Sequence, residues 1–360
     1  MIPGTAHAHG HLARSRVAVS PVLKGTSVIL QSEEARRAQT INLLEIQDLH
    51  THFVLPDGVI RAVDGMNLEI APGEVVAVVG ESGSGKSVTA LSAMRLLPKH
   101  ESRNIKGKVI FRGEDLLTYS ARQMQNIRGR HIGMIFQNPY AALNPVIDIG
   151  SQLIETAKLD RQMTRKDALS LSCQLLAEME IDDPERVVNL RPFQVSGGIN
   201  QRVMLALALV GEPDLLIADE PTTMLDSLTQ GEILRLIDRV QRDSEMSVWL
   251  ISHDFGVVSR MANKIVVMYM GQPVETSSST ALLENPRHPY SIALRDSVPS
   301  MSTTTRRLSQ VHGEAPDPQN PPVGCRFAPR CPRVMEKCEN QVPPPFSLPD
   351  GTSVKCWLFE

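Results

Sequence analysis

The chain has 360 residues, with 37 lysines and arginines against 40 aspartates and glutamates, for a formal charge of −3. That balance excludes the basic excess of a nucleic-acid binder, and the length allows one large domain with a smaller one. Apolar runs reach only eight residues, as in Val203–Val210, far short of the roughly 18 that a membrane-crossing helix needs.

Residues 1–40 mix Gly, Pro and Ser with the alternating His7, His9 and His11. Such alternation suits a metal ion, but the composition fits a disordered extension or an over-long start-site assignment better. No apolar signal-peptide core followed by a cleavage site is found, so a cytoplasmic protein is expected. Leu43–Phe53 and Met66–Ile70 read as strands, with turns at Pro56-Asp57-Gly58 and Ala71-Pro72-Gly73. An antiparallel edge is expected there, leading into Glu74–Val79, an apolar β-branched run of the kind found in buried parallel strands.

Gly80-Glu81-Ser82-Gly83-Ser84-Gly85-Lys86-Ser87 comes next, and Val88–Met94 then reads as a helix. The octapeptide fits G-x-x-x-x-G-K-[ST], the phosphate-binding loop, in the strand–loop–helix context that the loop requires. The backbone from Gly80 through Ser82, Gly83, Ser84 and Gly85 to Val88 supplies N–H groups for phosphate oxygens, and the helix start adds partial positive charge. Lys86 reaches the β- and γ-phosphates, and the Ser87 hydroxyl holds Mg²⁺. ATP or GTP is the expected ligand.

Residues 108–111 and 131–136 are strand candidates, the second followed by Gln137 at its exit. Ile147–Met179 turns helical, with apolar Leu153, Ile154, Leu169, Leu171, Leu175 and Leu176. Ser196-Gly197-Gly198 precedes an apolar helix expected over Gln201–Val210. Leu215–Glu220 is a buried strand with two carboxylates at its end, and Ser247–Ile251 leads to Ser252-His253-Asp254. Lys264–Met270 completes the set before a turn at Gly271. In open α/β sheets ligands bind at the carboxyl ends of strands, so the phosphate loop, the acidic pair and His253 are expected around one crevice.

Composition changes near Asn285: 13 of the 25 prolines and four of the five cysteines lie beyond it. A separate C-terminal module is expected from there. Cys325, Cys331, Cys338 and Cys356 have the spacing C-x₅-C-x₆-C-x₁₇-C. Disulfides are disfavoured in the cytoplasm, and four thiolates suit either Zn²⁺ or a [4Fe–4S] cluster. The spacing alone does not choose between these, or exclude four free thiols. Cys173, in a helical stretch, reads as a packed core thiol.

The order of phosphate loop, Gln137, Ser196-Gly197-Gly198, Asp219-Glu220, Leu225-Asp226 and His253 resembles the ATPase subunits of ABC transporters. The resemblance covers about residues 42–300, and the cysteine motif extends it to 356. Four stretches resemble the oligopeptide/dipeptide import branch: GESGSGKS over Gly80–Ser87, IFQNPYAALNP over Ile135–Pro145, IADEPTT over Ile217–Thr223 and NPRHPYSIAL over Asn285–Leu294. From Leu96-Leu97-Pro98 to Ile127-Arg128-Gly129 the chain is more similar to the first of the two ATPases such systems carry.

The resemblance implies an α/β P-loop NTPase fold of the ABC type over residues 41–284, with an antiparallel β edge and a helical subdomain at about 138–210. A small Cys/Pro-rich module over 285–360 would follow. It also implies ATP hydrolysis, with Lys86 and the loop N–H groups neutralising phosphate charge and Ser87, Gln137 and Asp219 at Mg²⁺. Glu220 would be the general base for water, with Gln137 and His253 ordering that water and the γ-phosphate. Ser196, Gly197 and Gly198 would complete the ATP site of an opposite subunit, with Asp226 at the interface. The family's adenine-stacking position falls near Arg61, whose guanidinium is planar, or Phe53. Val195, Ile199-Asn200 and Met224 depart from the usual residues, which puts the strength of the trans-acting site in question.

For the four cysteines the resemblance favours an iron–sulfur cluster over Zn²⁺. The implied partners are a second ABC ATPase, forming a heterodimer, two transmembrane permeases and an extracytoplasmic solute-binding protein. The implied place is the cytoplasmic face of the bacterial inner membrane, reached only through the permeases. Peptide is the expected solute, with nickel, glutathione or sugar as alternatives within the same machinery. A non-transport ABC ATPase usually carries two cassettes or long insertions, unlike this chain. A non-hydrolysing regulator fits poorly with intact Lys86, Glu220 and His253.

Overall fold

Val75–Val79 is buried along its whole length because both of its faces are covered. Val75, Ala77 and Val79 join one apolar core and Val76 and Val78 a second, the period-2 alternation of a strand sandwiched between layers. The computed structural model of the chain describes residues 42–98, 104–159, 163–223, 225–297, 311 and 313–360. The extension expected at 1–40 and the departure at Met224 lie outside the described residues.

Two sheets make the frame. β1 (Leu44–Leu55), β2 (Gly58–Ile70), β4 (Ile105–Phe111) and β5 (Glu114–Asp115) form a four-stranded antiparallel sheet in the order β2-β1-β4-β5. The other strands are β3 (Val75–Val79), β6 (Ile132–Ile135), β7 (Leu215–Asp219), β8 (Ser247–Ser252), β9 (Lys264–Tyr269), β10 (Gln272–Ser278), β11 (Phe346–Ser347) and β12 (Ser353–Val354). They form an eight-stranded sheet ordered β11-β12-β10-β9-β3-β8-β7-β6, whose members from β9 to β6 run parallel.

The antiparallel strands therefore do not extend the parallel sheet as an edge, as the sequence reading expected. They make a sheet of their own because β1 and β2 carry an apolar face that needs a face to pack on. Ile46, Leu49, Met66 and Leu68 share a core with Val76, Trp249, Ile251 and Val266 of the parallel sheet. The helix Lys86–Ala93 adds Ala90 and Ala93 to that core, and the Thr51 and Ser92 hydroxyls bond across it at 2.8 Å.

The opposite face of the parallel sheet packs on helices. The run expected over Ile147–Met179 is two helices, Ile149–Ala157 and Arg165–Glu178. The second restarts where the Thr164 hydroxyl accepts from the Asp167 N–H at 3.2 Å. Leu153 and Leu176 are fully buried, whereas Leu169 points outward. The helix expected at Gln201 begins four residues earlier and spans Gly197–Leu209, because Ser196 caps it by accepting from the Ile199 N–H at 3.3 Å.

The C-terminal stretch is continuous with this frame. β12 pairs with β10, and the Lys355 N–H donates to the Val274 carbonyl at 2.9 Å. Tyr290 and Phe327 stack with Tyr269 at ring distances of 4.6 and 5.2 Å. No helix among the described residues is long and apolar enough to cross a membrane.

Candidate nucleotide site

β3, β8, β7 and β6 are parallel neighbours, so their carboxyl ends share one rim. At that rim β3 opens into the phosphate loop and β6 into Gln137. β7 ends at Asp219-Glu220, and β8 is followed by His253. Residues scattered from 80 to 253 in sequence are neighbours because the sheet order makes them so.

The loop closes tightly on its surroundings. Gly85 has φ +101°, and a Cβ there would sit 2.1 Å from the Ala62 carbonyl oxygen. A Cβ on Gly80 would lie 2.1 Å from the Met268 carbonyl oxygen. Lys86, 4 % exposed, donates from Nζ to the carbonyls of Gly80 at 2.8 Å and Glu81 at 2.9 Å. Burial holds its pKa below the usual lysine value, against the opposing pull of Glu220, Asp219 and Glu81.

The Ser87 hydroxyl donates to Asp219 Oδ1 at 2.8 Å, bringing together the two expected Mg²⁺ ligands. Burial pushes the Asp219 carboxyl up to about 6, and the charge of Glu220 adds to the rise, while Ser87 and Lys86 oppose it. Glu220 Oε2 accepts from Gln137 Nε2 at 3.0 Å and from the Thr223 hydroxyl at 2.9 Å. His253 Nδ1 lies 3.4 Å from the same oxygen, and Lys86 Nζ lies 4.0 Å from Oε1. Glu220 itself stands in the left-handed region, φ +46°, with its N–H on the Ile251 carbonyl at 2.9 Å. The strand's last peptide is thus turned so that a carboxylate faces the loop.

A cavity of about 380 Å³ opens at this rim, within the usual size of a small-molecule site. The loop from Glu81 through Ser82, Gly83, Ser84, Gly85 and Lys86 to Ser87 and Val88 lines it, together with Gln137 and Glu220. Arg61 also lines it, whereas Phe53, the other base-stacking candidate, does not. Phe53 pairs with Ile60 in the hairpin one register step further on.

Ser196, Gly197, Gly198 and Asp226 are not in this cavity. Asp226 caps the helix Ser227–Ser244, accepting from the N–H groups of Leu228 and Thr229 and from the Thr229 hydroxyl, which together hold its pKa down. A Cβ on Gly198 would lie 3.1 Å from Thr229 Cγ2, so the Ser-Gly-Gly turn and the Asp226 cap are adjacent. Asn200, one of the departures, is fully buried and donates to the Pro192 carbonyl at 2.9 Å, fastening the turn before Ser196. Val195 and Ile199 pack on the core.

Three groups at the site were not singled out in the sequence. Thr223 had a local signal, three residues beyond Glu220. Tyr290 and Arg330 had none, because they reach the phosphate loop from more than 200 positions away.

Cys325, Cys331, Cys338 and Cys356 line a second, small cavity with Phe327, Ala328 and Trp357. None is in a disulfide. Burial pushes the Cys325 thiol up to about 11 and raises Cys331 and Cys356 as well. Cys173 lies elsewhere, partly buried against the main core.

Known proteins place this geometry. Residues 63–223 match the family model described as ABC transporter, and residues 274–338 match Oligopeptide/dipeptide transporter, C-terminal region. A probable peptide ABC transporter ATP-binding protein of Sinorhizobium fredii, y4tR, is 44 % identical over 88 % of this chain and 94 % of its own. The dipeptide transport ATP-binding protein DppD of Bacillus subtilis is 41 % identical over the same shares, 88 % and 94 %. Among solved structures, the ATP-binding cassette MJ0796, a dimer in a post-hydrolysis state bound to ADP and Pi, aligns with a TM-score of 0.59 at 25 % identity. That alignment covers 66 % of this chain and 98 % of the cassette. The protein belongs to the ATP-binding proteins of ABC transporters, in the group that carries the oligopeptide/dipeptide transporter C-terminal region.

Proposed function

We propose that this chain is the ATP-hydrolysing subunit that powers an ABC importer of di- and oligopeptides. The observation that carries the reading is Glu220, held by Gln137 and Thr223 at the end of β7 and facing Lys86, in a chain whose relatives are named for peptide transport. Lys86 and the loop N–H groups bind and orient the β- and γ-phosphates. Ser87 and Asp219 are hard oxygen donors suited to Mg²⁺, with Gln137 beside them. Bound there, Mg²⁺ would neutralise charge on the phosphate oxygens. Glu220 takes the proton of the attacking water, with Gln137 fixing the carboxylate and His253 ordering the γ-phosphate side.

Ser196, Gly197 and Gly198, outside the cavity at a helix start, suit the ATP held by a second cassette. Closure of two such cassettes on ATP and reopening after hydrolysis is a ligand-driven population shift with mechanical output. Tyr140, Val146 and Phe193 are large exposed apolar side chains on the loop after Gln137 and the turn before Ser196. They suit docking of a permease's cytoplasmic helix, which would hold the chain at the inner face of the membrane. Solute choice would rest with the permeases and an external binding protein.

The four cysteines fit a [4Fe–4S] cluster better than zinc. They converge on one cavity, yet among the described residues the one His/Cys/Asp/Glu triad with ligand atoms within 4.8 Å of one another is His50, His52 and Asp64. Tetrahedral zinc with bonds of about 2.3 Å needs sulfurs roughly 3.8 Å apart, a closeness that no three of these reach. A cluster would fix the fold of a tail with little apolar content of its own.

The test is ATPase activity of the membrane complex co-purified through this chain, with the binding protein added. Stimulation by peptides supports the reading. Stimulation by nickel or another solute alone would move the substrate class, and failure of any permease to co-purify would overturn the transport assignment.

A further inference from the structure

The walls of the nucleotide cavity come from two ends of the chain. The phosphate loop, Ile60, Arg61 and Ala62 form one part, and Pro316, Pro318, Pro321 and Arg326 form another. We propose that the segment 315–330 is a working part of the ATP site in its own subunit. Its prolines flank the base and ribose, and Arg330 is a positioning residue for the phosphate loop. The inference rests on the reading of this cavity as the ATP site.

Arg330 is 5 % exposed at its side chain and grips Glu81 with both arms, Nη1 to Oε2 at 2.8 Å and Nη2 to Oε1 at 3.0 Å. A planar fork on a carboxylate is the geometry that fixes direction as well as distance. The Glu81 N–H is also held, donating to the Tyr290 hydroxyl at 2.9 Å. Glu81 is therefore fixed through backbone and side chain together, and its carbonyl, with that of Gly80, is what Lys86 Nζ binds. Position passes from Arg330 to Glu81 to the lysine that meets the phosphates.

Arg326 anchors the same segment from the other side. Its guanidinium donates to the Met270 carbonyl and to Asp64. The Asp64 N–H donates to the Gly271 carbonyl, and the Gly271 N–H to the Ser84 carbonyl, both at 2.8 Å. Between these anchors Gln319 reaches the β1–β2 turn, where its Oε1 would lie 3.4 Å from a Cβ on Gly58. The segment thus bridges from the hairpin that carries Arg61 to the phosphate loop. It flanks the cavity and leaves it open at about 380 Å³, so it is a wall and not a plug. Proline suits such a wall, because it has no N–H to compete for the base and presents a flat apolar ring.

The test uses the purified full-length chain and two probes, ATP and inorganic tripolyphosphate, which has phosphates but no base. Replacing Pro316, Pro318 and Pro321 together by Gly should weaken ATP binding about five- to tenfold and leave tripolyphosphate unchanged. Arg330→Gln should weaken both probes about tenfold, and Arg330→Lys should recover only part of the loss. Glu81→Gln should match Arg330→Gln, and the double variant should lose no more than either alone. Equal weakening of both probes by the proline variant, or tighter ATP binding, would overturn the wall. Additive losses from Arg330 and Glu81 would overturn the positioning role, and Glu81→Gln keeps that role testable should Arg330 variants fail to fold. Wild-type chain that binds tripolyphosphate but not ATP would instead refute the ATP-site reading beneath the inference.

Discussion

Gln137 donates from Nε2 to Glu220 Oε2 across 3.0 Å, joining the first residue after β6 to the first residue after β7. The proposed base is thus aligned by the residue that opens the loop into the helical layer, so a partner moving that loop can move the carboxylate. Glu220→Gln keeps the size and one acceptor but cannot take a proton. Turnover should fall by about 10²–10⁴ while ATP affinity stays within a few-fold. Single-turnover hydrolysis beside equilibrium ATP binding checks this, and full activity would move the base elsewhere.

His253 contributes differently. Its side chain is 60 % exposed and sits 3.4 Å from Glu220, so it adds little to the packed fold. His253→Ala should lower kcat about 10- to 100-fold, as loss of one charge-assisted hydrogen bond does, with an unchanged melting temperature. A calorimetric scan alongside the rate assay separates this from a folding defect.

Asp219 gives the acid limb of the pH profile. Its folded pKa is raised to about 6 by burial, so the carboxylate available to Mg²⁺ is present above that pH and lost below it. The kcat/KM for Mg-ATP should fall about tenfold per pH unit once pH drops under about 6. Measuring the profile from about pH 5 to 8 at saturating Mg²⁺ and at tenfold less should move the limb toward higher pH when metal is scarce. A limb independent of Mg²⁺ would assign the titration to another group.

Ser196 has two duties that one variant separates. Ser196→Ala removes the cap at the Ile199 N–H and should cost about 1 kcal/mol of stability. It should also abolish the ATP-induced dimer trapped by Glu220→Gln, which gel filtration of the double variant reads directly. A dimer that survives would place the trans contact elsewhere.

Cys338 is buried in the four-cysteine cavity. Anaerobically purified protein should carry about four iron atoms and four acid-labile sulfides per chain, and Cys338→Ser should lose most of both. Iron-free, zinc-loaded protein would decide for the other metal.

The sequence made the catalytic rim legible because each group stands next to its own strand. Val75–Val79, Leu215–Asp219 and Ser247–Ser252 are short apolar runs, and the polar residue that follows each is the one at the site. What was not legible depends on packing across long separations. β1 and β2 looked like an edge because strand pattern does not say whether a strand pairs in plane or stacks face to face. The start of the helix at Gly197 was hidden by glycine's poor helix propensity, which the Ser196 cap outweighs. Arg330 looked like one basic residue in a proline-rich tail, and nothing near it in sequence names Glu81 as its partner.

The backbone of Glu220, at φ +46°, carries a further consequence. A side chain with a Cβ in that region costs about 1–2 kcal/mol over an ordinary conformation. Asparagine or glycine is at ease there, so Glu220→Gly should unfold at a higher temperature than the native chain while hydrolysing nothing. Random stabilising selection without an activity screen would therefore drift toward losing this residue. The enzyme holds its base in place at the expense of its own robustness, and only turnover keeps it there.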